Sequence, residues 1–161
     1  AASAALSGQL VLTSLHSNDA PSAIERLIEL GVQRRTIASG LTAIIAQRLV
    51  RKLCQGCRKP VMAERETAGV FQIAEGSDLF EPGSCEACNQ TGYSGRLALF
   101  EFLFVNDGIR DAIAAGLTPV ELAALAGRAS YRTMFVHGVR RALAGQTTLH
   151  ELRRVLTIAR P

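Results

Sequence analysis

All four cysteines of this chain fall into two close pairs, Cys54-x2-Cys57 and Cys85-x2-Cys88, with 27 residues between them. A C-x-x-C knuckle turns tightly enough to aim both sulfurs at one centre. The intervening chain then brings the second knuckle round to the first. Four thiolates close the coordination shell, so the expected site is structural, with no open position for water or substrate. Zinc is the default ion for a closed S4 site, and iron is the runner-up. A disulfide framework expects a secreted chain, which nothing in the sequence marks, and a thioredoxin-like redox motif uses one pair and leaves the other unexplained. Four thiolates around a dication carry a net charge of about −2. Arg51, Lys52, Arg58 and Lys59 flank the first knuckle and are expected to offset it.

The rest of the composition excludes several classes. With 161 residues, 48% of them apolar and 20% charged, the chain is long and apolar enough for a real core, which rules out disorder throughout. No window approaches 18 uninterrupted apolar residues, and Ala1 to Leu12 lacks the basic start of a secretory signal. The net charge is +4, and Arg supplies 16 of the 18 basic residues, many in pairs such as Arg34-Arg35, Arg140-Arg141 and Arg153-Arg154. Such pairs can face phosphates, but no block of five like charges occurs, and solvated helix faces and protein contacts are the favoured reading. Aromatic residues are 5% of the chain, with no Trp, which gives a base-stacking platform poor support, and nucleic acid is not an expected partner.

Along the chain, Leu10-Val11-Leu12-Thr13-Ser14-Leu15 is a continuous apolar run and is expected to be a strand covered on both faces. Asn18 or Asp19, with Pro21, opens a helix carrying Ile24, Leu27 and Ile28, and Gly31 ends it. A second helix is expected to carry Ile37, Leu41, Ile44 and Ile45 on one face. Strand, helix and strand together suggest an α/β layer. Cys54 to Gly95 reads as a small inserted module with one weak helix near Glu64 to Ile73. Arg96 to Val105 reads as a strand, with Phe100, Phe102 and Phe104 on one face and Leu97, Leu99 and Leu103 on the other. The last third is helical. Asn106 and Gly116 bracket one helix, Thr118-Pro119-Val120-Glu121 is a capping box, Ser130 opens a helix ended by Gly145, and Thr148-Leu149-His150-Glu151 is a second box.

Several of these segments together resemble one family. Ser7 to Ala20, with Leu15-His16-Ser17-Asn18-Asp19, resembles the His box of the secretion ATPases, the motors of type II secretion and type IV pilus assembly. Ala46 to Cys54 is similar to the segment leading into their tetracysteine module, and Cys85-x2-Cys88 followed by Thr91-Gly92-Tyr93-x-Gly95-Arg96 is similar to its exit. Tyr131-x-Thr133, Gly138 and Gly145-x-Thr147-Thr148 resemble their C-terminal helices. Gln55 stands where the family often has Pro, Ser17 where Thr is usual, and His137 where an acidic residue is common.

The resemblance implies an α/β fold: the C-terminal part of a RecA-like P-loop ATPase core over 1–53, a tetracysteine zinc module over 54–95, and a strand plus helical subdomain over 96–161. It implies that His16 reaches the γ-phosphate side of a nucleotide site, and that Cys54, Cys57, Cys85 and Cys88 hold a structural Zn2+. It further implies a cytoplasmic, hexameric motor, peripheral to the inner membrane, whose partners are sister subunits and inner-membrane platform proteins. His137 and His150 read as ordinary surface or capping residues. The chain starts on Ala1-Ala2-Ser3 and is expected to be part of a longer protein. It contains no G-x-x-x-x-G-K-[ST]; Lys52 precedes Leu53-Cys54 and Lys59 precedes Pro60. ATP and Mg2+ therefore belong to the full-length parent, and this chain alone is expected to be inactive. The alternative is a stand-alone structural zinc module that binds protein or nucleic acid.

Overall fold

The computed structural model describes residues 2–128 and 131–156. By its internal contacts the chain forms two compact units, one of residues 1–46 and 100–133, the other of 47–99 and 134–161. Two long strands, β1 (Ala43–Leu53) and β4 (Tyr93–Phe104), pair with each other and run from one unit into the other.

The first unit is helical around the end of β4. Its helices are α1 (Ala2–Leu6), α2 (Ala20–Glu29), α3 (Arg34–Gly40), α5 (Asp107–Ala115) and α6 (Pro119–Gly127). Their starts follow the sequence signals. The Asp19 carboxylate accepts from Ser22 N–H at 2.8 Å, the Asn106 side chain accepts from Ile109 N–H at 3.0 Å, and Thr118 and Glu121 close a reciprocal capping box. Ala20, Ile24, Ile37, Leu103, Ile109, Ile113 and Leu122 form the core, where α2 packs on α6 and α3 on α5.

Two expectations for this unit are corrected. Residues 9–17 are not a strand, and Leu10 and Leu12 are 88% and 87% exposed. A doubly covered strand needs a hydrogen-bonded neighbour on each side, and among the described residues neither sheet, β1 with β4 or β2 with β3, extends to this segment. The second helix stops at Gly40, so Ile44 and Ile45 belong to β1, not to a helical face. Thr42, Ile44 and Ile45 are β-branched and favour the extended chain, and Val105 N–H donates to Thr42 O at 2.9 Å.

The second unit holds β2 (Lys59–Met62), α4 (Arg65–Phe71), β3 (Asp78–Glu81), a 3₁₀ turn over Glu86–Cys88, α7 (Met134–Leu143) and α8 (Leu149–Val155). The weak helix is present as α4. β2 and β3 pair antiparallel with Val61 opposite Leu79, a ribbon the sequence hid because Pro60 lies inside it. In a two-stranded ribbon both strands are edges, so a proline can sit where no ladder donor is needed. α7 packs on α8 at Gly138, where an added Cβ would lie 2.7 Å from Leu152. Phe71 stacks on Phe135 with ring centroids 5.9 Å apart. Ser130, expected to open α7, lies outside the described residues.

The second capping box is only half formed. Thr148 Oγ1 accepts from Glu151 N–H at 3.1 Å, but the Glu151 carboxylate does not reach back. Fully buried, it accepts instead from Arg51 Nη2 at 2.6 Å, Arg51 N–H at 3.0 Å, and Arg154 Nε and Nη2 at 3.0 and 2.9 Å. Burial alone would raise its pKa. The hydrogen bonds from Arg51 and Arg154 outweigh that and hold it at about 2. A carboxyl so depressed contributes stability above its ordinary value of 4.5 and loses it as the pH falls toward 2. Circular dichroism during acid titration should show that loss, and Glu151→Ala should flatten it while lowering the thermal midpoint by about 3–6 °C at neutral pH.

Candidate metal centre

Cys54 ends the approach from β1, Cys57 follows one turn later, and Cys85 and Cys88 bracket the 3₁₀ turn. The four Sγ atoms lie within 4.8 Å of one another. Cys54 to Cys85 and Cys57 to Cys88 are 3.8 Å apart, and Cys85 to Cys88 is 3.6 Å. A regular tetrahedron with metal–sulfur bonds of about 2.3 Å has sulfur–sulfur edges of about 3.8 Å. A disulfide needs about 2.05 Å, and all four cysteines are free. The four sulfurs therefore suit a tetrahedral thiophilic ion such as zinc. A groove of about 820 Å³ in the same unit is walled by Arg51, Phe71, Phe80, Tyr93, His150 and Arg153 and by none of the cysteines.

The backbone around the sulfurs is built for close approach. Within the first knuckle, Cys57 and Arg58 N–H both donate to Cys54 O; in the second, Cys88 and Gln90 N–H donate to Cys85 O. Gly92 N–H donates to Cys88 Sγ at 3.2 Å, and Cys54 N–H donates to Gly92 O at 3.0 Å, so one peptide unit on each side of Gly92 serves the site. Gly92 has φ of +74°, and a Cβ there would lie 2.5 Å from Pro82 Cβ and 2.6 Å from Gly83 O. A Cβ on Gly83 would run into the Cys57 carbonyl. These glycines are site residues that the cysteine count alone does not reveal.

The flanking cations are used differently from the expected charge offset. Arg51 is drawn to Glu151 and stacks over Tyr93 at 4.0 Å, while Arg58 donates to Gly145 O at 2.6 Å and covers Phe80 at 4.4 Å. Lys52 and Lys59 are exposed. Among the described residues one N–H, that of Gly92, donates directly to a sulfur, Cys88 Sγ. Burial pushes the Cys57 thiol up to about 12. Cys88, although burial works the other way, is drawn down to about 6 by backbone hydrogen bonds at Cys85 and Gly92.

His16 lies in the other unit, exposed, in the segment before α2. Residues 10–15 are not a strand, so His16 does not follow the carboxyl end of one. His137 in α7 accepts from Arg141 Nε at 3.1 Å, and His150 is exposed in the first turn of α8.

Comparison with known proteins places these features in one lineage. The family model described as Type II/IV secretion system protein matches residues 1–154, a span that holds His16, all four cysteines and the helices up to α8. The chain belongs to this family. Among type II/IV secretion system proteins, the type IV pilus assembly ATPase PilB of Thermus thermophilus is 42% identical over 94% of this chain. Type II secretion system protein E of Dickeya dadantii is 39% identical over 96% of it, and the type II secretion system protein HxcR of Pseudomonas aeruginosa 40% over 96%. The chain spans 18% of the first relative's length, 31% of the second's and 30% of the third's. Among the described residues, no helix is long and apolar enough to cross a membrane. Metal analysis of the purified chain should return one equivalent of a thiophilic ion, zinc first. Cys57→Ser should lose it, and Gly92→Ala should retain it more weakly against a chelator, as read by a thiol-competing zinc indicator.

Proposed function

We propose that this chain is part of a motor ATPase that powers type II secretion or type IV pilus assembly. The observation that carries the reading is the single family match through residues 1–154, in which the His16 segment, both cysteine pairs and the terminal helices occur in order. ATP turnover, with Mg2+, belongs to the whole parent protein. Residues 1–53 supply the C-terminal part of its RecA-like core, 54–95 the zinc module, and 96–161 the helical subdomain. The parent works as a cytoplasmic hexamer of sister subunits against inner-membrane platform proteins.

In this reading His16 faces the γ-phosphate side of the nucleotide. Its exposure supports that role, since an imidazole must be reachable to meet terminal phosphate charge. Cys54, Cys57, Cys85 and Cys88 hold a structural zinc. Bound there, the ion supplies cross-linking alone, because four sulfurs leave no position for substrate. The chain's own residues do the rest. Gly83 and Gly92 let the knuckles close, and Arg58 and Gln55 tie the first knuckle to the Gly145 carbonyl.

Purified alone, this chain should show no metal-dependent ATP turnover above background. In the full-length parent, His16→Ala should lower kcat about tenfold or more at unchanged zinc content. An unaltered kcat would remove His16 from the nucleotide site.

A further inference from the structure

Glu101 is the buried ionisable group to which the reading above gives no task. It lies on β4, 2% exposed, on the same strand face as Leu103. Its Oε1 accepts from the backbone N–H of Ala20 at 2.7 Å, across 81 positions of chain. Ala20 opens α2 and is completely buried, so this N–H has no water to turn to. The Tyr131 hydroxyl bonds to the same carboxylate. Burial first, and then that bond, raise the pKa of Tyr131, which stays protonated and donates.

The first turn of α2 thus receives two carboxylates: Asp19, which caps it from within, and Glu101, which reaches it from β4. Both meet the partial positive charge of the helix N-terminus. The link from there back to His16 is short and internally bonded, since Ser17 Oγ donates to Asp19 O at 3.1 Å. Pro21 fixes the following dihedral. An apolar side chain at position 101 would fill the space but leave the Ala20 N–H unmet. A carboxylate holds it in a direction as well as a place.

We propose that Glu101 is a positioning residue for His16: its carboxylate, shared between the Ala20 N–H and the Tyr131 hydroxyl, fixes the first turn of α2 and so the point from which the His16 segment is presented. The proposal rests on the reading of His16 as a nucleotide-facing group. Tyr131 acts with Glu101 as the second anchor. The proposal gives neither a contact with the nucleotide, so the expected effect falls on the chemical step and not on ATP binding.

The test uses the full-length parent, with kcat and KM for ATP measured separately in wild-type and His16→Ala backgrounds. Glu101→Gln keeps the shape and weakens both bonds. It should lower kcat about tenfold, leave KM within about twofold, and have no further effect when His16 is already Ala. Tyr131→Phe should act in the same direction and more weakly, and it carries the comparison if Glu101→Gln does not fold. A wild-type kcat for Glu101→Gln, beside an impaired His16→Ala, overturns the proposal and leaves the reading of His16 standing. An equal fall in both backgrounds also overturns it, since that marks a general effect on the fold. A wild-type kcat for His16→Ala alone overturns the reading and the proposal with it.

Discussion

Convergence of four sulfurs is the constraint on which the second unit depends. The segment between the knuckles contributes a two-stranded ribbon and one short helix, with little beyond Ala63, Ala68, Phe71 and Leu79 buried. A ribbon of that size is marginal in water by itself. A thiophilic ion held by Cys54, Cys57, Cys85 and Cys88 would fix its ends at one point and offset the entropy of closing that loop. The same point fixes the loop that follows α7. Leu53 N–H donates to Gln146 O, Thr147 Oγ1 donates to Arg51 O, and Arg58 and Gln55 donate to Gly145 O. The first cysteine knuckle and the terminal helices of this unit are therefore one hydrogen-bonded body.

Each unit also contains one buried carboxylate that does organising work through N–H donors. Glu151 gathers Arg51 and Arg154 and ties α8 to β1. Glu101 gathers the start of α2 and Tyr131. The two differ in the donors they use. Glu151 is compensated by full positive charges that are themselves about half exposed, so those partners retain hydration. Glu101 accepts from a peptide N–H at the start of α2 and bonds the Tyr131 hydroxyl, and the helix N-terminus adds its partial positive charge.

Much of this was legible in the sequence, and the reasons are local. Cysteine spacing points to a shared centre because the geometry of a knuckle is set within four residues. The caps at Asp19, Asn106 and Thr118 are legible because each is satisfied within its own first turn. The failures are non-local. Residues 10–15 have the composition of a central strand, but a strand is made by neighbours, and the described chain gives them none. Glu151 looks like a capping-box partner until Arg51, one hundred residues away, offers better donors. Glu101 left a signal that could have been read: it falls in register with Leu97, Leu99 and Leu103, a charge on the face that the alternation assigns to the core.

The tight packing of Gly83 and Gly92 has a bearing on how such modules change over time. Neither glycine binds metal, yet each occupies a space into which no side chain fits while the knuckles stay closed. Their freedom to vary is thus tied to the fate of the sulfurs. A lineage that gave up its cysteines would be released from both glycines as well, and one that kept the cysteines would be held to them. The pair of glycines is a record of whether the knuckles still close, written in residues that supply no sulfur.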